Sequence, residues 1–263
     1  MHASHTQASP LAGRQARCDS GLREAPNNQP TPARPLPKFT ETVEDLERET
    51  LGELQAVVRH LDRAVESVIR QDAQLAGEVL SAGATADRRY PAVQEHLLAA
   101  LSSHRAPADL QMLASLLHVL RGMRRIRGQC ANLAKLVPSP LPAGHDTNAL
   151  LELVEGAAAL SISAVWLARA GFATRDVELA HEVVRLDAEL ARRSGVIFRR
   201  AVELADSAPV REWAMTMLLA GSYVERVSES AVDIAEQTVI VVNGLFREVA
   251  EADVPPREPA AAS

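Results

Sequence analysis

Three carboxylates spaced four residues apart, Glu225, Glu229 and Asp233, are the side chains of this sequence whose types and spacing most suggest chemistry. On a helix, positions i, i+4 and i+8 share a face, and here Val224, Val227, Ala231 and Ile234 define the opposing apolar one. Like charges so placed repel by roughly 0.2–0.5 kcal/mol per pair on an isolated helix. An oxygen-ligated divalent or trivalent cation would relieve that repulsion, as would arginines from a neighbouring helix, or plain hydration. A cation needs a further carboxylate, and Asp187 is the candidate. The expected metal set is therefore Glu225, Glu229, Asp187 and Asp233, holding a divalent or ferric ion. A second cluster is basic: Arg121, Arg124, Arg125 and Arg127 crowd a stretch whose one acid is Asp109. Guanidinium groups grip carboxylates and phosphates through paired N–H donors, so these four are candidate docking residues for an acidic partner or an anion. Solvation, pairing with acids of the same half, and contact with the acidic face are the competing uses.

Helices must position both clusters. Apolar residues make up 47% of the 263 residues and aromatics only 3%, a mixture that suits helices better than sheets. The 15 prolines would oppose that reading if they were scattered, but most lie in residues 1–37, 138–142 and 255–259. Between these, apolar spacing of three and four predicts six helices. The first runs from Phe39 through Val68, and the second starts after Asp72 as N-cap and continues past Pro91, a kink site, to about Leu101. The third opens at Pro107 and ends at Val137, the fourth covers Thr147 to Gly171, the fifth Asp176 to about Ala205, and the sixth Pro209 to Val242. Residues 72–79, DAQLAGEV, match 176–183, DVELAHEV, and Arg125-Ile126 matches Arg226-Val227, with Pro107 and Pro209 between them in the same order. The chain is a tandem duplication of a three-helix unit of about 100 residues. The expected organisation is a disordered arm over 1–38, a first repeat over 39–137, a proline-rich linker over 138–146, a second repeat over 147–246 and a flexible tail over 247–263.

Several functions are excluded or disfavoured. Net charge of −6 argues against non-specific nucleic-acid binding. Cys18 and Cys130 are the only cysteines, too few for a disulfide framework or a thiolate metal site. No nucleophile elbow, metalloprotease pair or glycine-rich phosphate loop occurs, so neither hydrolytic catalysis nor nucleotide hydrolysis has support. Glu178 and His181 make half of a di-iron carboxylate motif without a second half. No apolar run nears the roughly 20 residues of a membrane span, and no signal peptide is visible, which predicts a cytoplasmic protein without membrane insertion. Trp166, Phe172, Phe198, Trp213 and Tyr223 are expected in the core or at a partner contact.

The repeated unit is Asp-x-x-Leu-Ala-x-x-Val, then a proline opening the third helix, then Glu-Arg-(Ile/Val)-x-(Asp/Glu)-x-Ala-x-(Asn/Asp)-(Ile/Leu)-Ala-Glu, and it resembles the PhoU family of phosphate-signalling proteins. The resemblance covers residues 39–246 and is most specific at Glu225–Glu236. It implies an all-α fold of two three-helix bundles side by side. It also implies a cytoplasmic, non-enzymatic negative regulator that acts between the ATPase subunit of a phosphate ABC transporter and a sensor histidine kinase, and that forms homo-oligomers. Family metal clusters use Glu/Asp-x-x-x-Asp pairs, which map here to Glu225 and Glu229. The first repeat carries Arg124 and Gly128 at those places and Gly83 at the place of Asp187, so a metal is implied in the second repeat only. Gln111 stands where the family has arginine at the start of the third helix. The alternative is a structural or dimerising bundle that kept the scaffold and lost phosphate signalling.

Overall fold

A computed structural model describes residues 42–104, 106–137, 148–204 and 208–243. The arm over 1–38, the linker over 138–146 and the tail over 247–263 lie outside the described residues. Six helices account for nearly everything else: α1 (Val43–Ile69), α2 (Ala73–Ser103), α3 (Pro107–Leu136), α4 (Asn148–Thr174), α5 (Val177–Glu203) and α6 (Ala208–Asn243). The fold is all-α with no strand among the described residues.

Local chemistry sets the helix starts. Thr42 caps α1 in a reciprocal box with Asp45, satisfying two amides the helix cannot bond itself. Asp72 accepts from the Leu75 amide at 2.9 Å, and Asp176 caps α5 through the amides of Glu178 and Leu179. Pro107 opens α3, where its missing N–H costs nothing. As the sequence predicts, α2 continues past Pro91.

The turns before the two Asp caps are copies of each other. Gln71 and Arg175, each directly before its Asp, adopt left-handed φ values of 54° and 59°. The Asp72 amide reaches back to Ser67 O, and the Asp176 amide to Gly171 O, both at 3.0 Å. Gln71 Nε2 donates to Val68 O at 2.7 Å, and Arg175 donates to the matching carbonyl of Phe172. A side-chain bond to the last turn thus offsets a conformation that disfavours any residue with a Cβ by roughly 1–2 kcal/mol. In the second copy Gly171 fits closely, since a Cβ there would stand 3.1 Å from Asp176 O and the turn would have to give slightly; the first copy has Ser67 at this place.

All described residues fall in one compact unit, Pro37–Ser263. Within it α1, α2 and α3 pack as one bundle and α4, α5 and α6 as another; α3 lies on α6 and, more loosely, α1 on α4. The outer helices α2 and α5 make their main contacts inside their own repeats. Leu54, Leu61, Leu116 and Met123 fill the first bundle, Phe172 and Trp213 the second, and these side chains are at most 1% exposed. At the α3–α6 seam, a Cβ on Gly122 would lie 2.8 Å from Ile234 Cγ1, so glycine there lets the two repeats close up.

α4 stands apart in composition. That helix spans 27 residues, and its most apolar 18-residue window has a mean hydropathy of 1.6, so by length and composition it could cross a bilayer. Scattered Ser, Gly and Glu residues interrupt its apolar run. In the fold one side of α4, including Val154, Ala157, Ala164 and Ala168, is buried in the core.

Candidate functional site

The acidic stretch of α6 comes apart when its geometry is followed. Successive steps of four residues rotate about 40° around a helix, so Asp233 points about 80° away from Glu225. That rotation carries Asp233 to α3, where its carboxylate pairs with Arg125. Glu229 is exposed and Glu225 partly so, while Asp187 stands half-buried on α5. Among the described residues, no group of three or more His, Cys, Asp or Glu side chains is placed to hold a metal ion. The set Glu225, Glu229, Asp187 and Asp233 is therefore not gathered. Its fourth carboxylate already has a guanidinium as counter-ion, so within this chain the set does not fit the metal the resemblance implies.

The four arginines divide two and two. Arg121 is exposed, and Arg124 is exposed with its guanidinium 5.0 Å from the centre of the Tyr90 ring, leaving both charges outward. Arg125 is spent on Asp233 across the repeats, and half of each side chain remains exposed (46% and 48%). Arg127 overturns its expected role as a docking residue. It is 6% exposed and binds Glu53 of α1 at 3.1 Å, while Nη1 reaches the Ala86 carbonyl of α2 at 3.5 Å. It falls at i, i+4, i+7 and i+11 with Leu116, Leu120 and Met123, which is core spacing, and that spacing was available in the sequence. A buried arginine needs a partner, and Glu53 supplies it.

Near Arg127 a histidine ring stands against one of the positions that lost a carboxylate. The His60 ring lies 3.5 Å from where a Cβ on Gly83 would stand, and its Nε2 is buried without a hydrogen-bond partner. Burial, then the charges of Arg127 and Arg63, hold the His60 pKa below its ordinary 6.5, against a smaller opposing pull from Asp87. Nearby, burial pushes the Cys130 thiol up to about 12. His181 and Glu178 sit at a loose 3.9 Å, with Glu178 side chain 83% exposed.

Sequence reasoning missed the seam between α1 and α4. At one end Arg175 grips Glu47 at 2.7 Å, and Arg169 donates to Leu51 O at 3.2 Å and to Gln55 at 3.4 Å. The helices are antiparallel, and their other ends part into a cleft of about 350 Å³ lined by residues of both repeats. The Trp166 ring stacks 5.6 Å from the Arg169 guanidinium and is 41% exposed, and Phe198 is 54% exposed. Of the five aromatics expected in the core or at a partner contact, Phe172 and Trp213 are buried and Tyr223 is half-buried, while Trp166 and Phe198 lie at the surface. Their positions follow from tertiary packing, for which helical periodicity alone carried no signal.

The fold and these surfaces define a tandem-repeat, all-α protein whose charged and apolar features lie along helix faces and the seams between repeats. The family model described as PhoU domain matches the chain twice, at residues 53–137 and 154–238, together well over half of its length. The chain belongs to the PhoU family. The crystal structure of PhoU from Pseudomonas aeruginosa is similar in fold, with a TM-score of 0.72 and 21% identity over 77% of this chain and 98% of that one. The phosphate transport system regulatory protein PhoU from Streptococcus pneumoniae matches with a TM-score of 0.70 and 16% identity, over 79% of this chain and 98% of that one. A comparison with curated protein sequences gives no match.

Proposed function

We propose that this chain is a phosphate-transport regulator: a cytoplasmic, non-catalytic negative regulator that links the ATPase subunit of a phosphate ABC transporter to a sensor histidine kinase. The observation that carries the reading is the double match to the PhoU domain, which falls on the two structural repeats. Similarity to a protein described as a phosphate transport system regulator supports the same direction. Arg121 and Arg124 are the outward guanidinium groups left to meet an acidic surface of a partner. Self-association of the chain belongs to this proposal as well. The reading routes nothing through a metal, because no three of the candidate carboxylates are grouped to hold one among the described residues.

Deleting the gene and following a phosphate-responsive promoter in phosphate-rich medium tests the role. Derepression is expected, reversed by the wild-type chain and weakly or not at all by the Arg121→Glu, Arg124→Glu double variant. An unaltered promoter would sink the regulatory role and favour a purely structural bundle.

A further inference from the structure

The cleft where α1 and α4 part has a floor and a rim of different character. Val65 and Ile69 from α1 and Ala159 and Ile162 from α4 form the apolar floor. Asp62, Glu66 and Glu155 stand along the rim; the one cation beside them, Arg70, is already bonded to Glu66 at 2.8 Å. On α4 the same face runs on beyond the cleft, since Glu155, Ala159, Ile162 and Trp166 fall at i, i+4, i+7 and i+11. The lane between the open end and the exposed Trp166 ring is about 16 Å long, three helical turns. α4 is apolar on more sides than its packing uses: only 39% of its most apolar window is buried. A helix apolar all round is ordinarily covered all round.

We propose that this groove receives an amphipathic helix with basic flanks, contributed by another protein. Two turns of cleft, with Trp166 one turn beyond on the same face of α4, match a helix that offers anchors at i, i+3, i+4 and i+7, and Trp166 is the kind of residue that dominates such contacts. The charge selects the partner. The carboxylate rim attracts lysine or arginine flanking the anchors, and it repels an anionic bilayer, the other surface an apolar strip of this size could meet. The seam is pinned at the Arg175–Glu47 end, which fixes the lane in place and leaves its mouth at the acidic end. The groove gives a partner chemistry to the regulatory role proposed above and rests on that reading for its purpose, while the binding itself stands or falls separately.

The test uses the full chain and a pair of synthetic helical peptides of about 16 residues with the same leucine face, one flanked by lysine and arginine and the other by glutamate. Trp166 is exposed and Trp213 is 1% exposed, so a blue shift of tryptophan emission reports covering of Trp166. The basic peptide is expected to give a saturable blue shift, weakened at least about tenfold by Asp62→Lys with Glu155→Lys and weakened again by added salt, with the acidic peptide inert. Circular dichroism and melting of the double variant establish that it is folded; Glu66→Gln, a milder change, is expected to weaken binding in the same direction. Equal response to both peptides, or binding unmoved by charge reversal, overturns the proposal. Tighter association with anionic vesicles overturns it in favour of a membrane. Concentration-dependent self-association abolished by the same charge reversal overturns it in favour of a second copy. If no shift occurs while promoter derepression on deletion holds, the groove is refuted and the regulatory role stands.

Discussion

The first repeat is tied together by a guanidinium beneath its surface, whereas the second has a serine at the matching place. Arg127 joins α3 to Glu53 of α1 and to the backbone of α2, while Ser228, 101 residues later, is buried with its hydroxyl unpartnered. Around Arg127 the carboxylate positions have become Arg124, Gly128 and Gly83; around Ser228 they remain Glu225, Glu229 and Asp187. One scaffold thus tolerates opposite electrostatics, because three-helix packing depends on the apolar stripes and not on which charge sits at their border. The comparison also shows that a cluster of like side chains in sequence need not act as a cluster in space.

Removing the internal guanidinium is the strongest way to break this contrast. Arg127→Ala is expected to cost about 2–3 kcal/mol in urea unfolding, less than a fully sealed pair would, because Glu53 retains some exposure to water. Ser228→Ala should stay within about 1 kcal/mol of neutral, since it deletes a hydroxyl that has no partner. Equal costs at the two positions would end the distinction. Cys130 supplies a local reporter: with its thiol pushed up to about 12, it should react with thiol reagents only when the first repeat opens. In a Cys18→Ser chain, Arg127→Ala should therefore speed Cys130 labelling.

The paired turns sharpen the comparison at the next level. Gln71→Gly relieves a left-handed residue and loses one hydrogen bond, so the two effects of about 1 kcal/mol should nearly cancel in thermal unfolding. Arg175→Gly loses the pair with Glu47 as well, and should destabilise by about 1–2 kcal/mol. Smaller still is the Arg125–Asp233 bridge. A double-mutant cycle should give a coupling of about 0.5 kcal/mol that fades with salt, because both side chains are half in water.

The smallest expected effect is a pH slope confined to the first repeat. His60 has a folded pKa below its ordinary 6.5, so between the two values the unfolded chain binds the extra proton. Its contribution is fully present above 6.5 and is lost as pH falls through that window toward the lower, folded value. Unfolding measured on either side of 6.5 should show a shallower acid loss for His60→Leu than for the wild-type chain. Identical slopes would mean His60 titrates as it does in the unfolded chain.

Much of the architecture was legible because helix signals are local. Asp72, Asp176 and Pro107 mark helix starts where the residue types say they should, and the duplication could be read from matched landmarks. The candidate site was less legible, because a side chain's use is decided by what the opposite helix presents. Asp233 looks like a third ligand along α6 and turns out to be Arg125's partner; Arg127 looks like part of a surface patch and lies beneath it. The α1–α4 groove had no sequence signature, since its walls come from segments about 90 residues apart. For its exposed Trp166 the sequence left core and partner contact both open.

Arg175 carries a lesson about how duplicated proteins acquire their joints. In the first copy, Gln71 at the same turn closes its own helix end and reaches no further. In the second copy the longer side chain makes the same closure and then extends to Glu47, in the other copy. A position that a single repeat needs for its own turn becomes, with one exchange of side chain, the fastener between two repeats. In the second repeat, one side chain that closes a helix end thus also fastens the two repeats together.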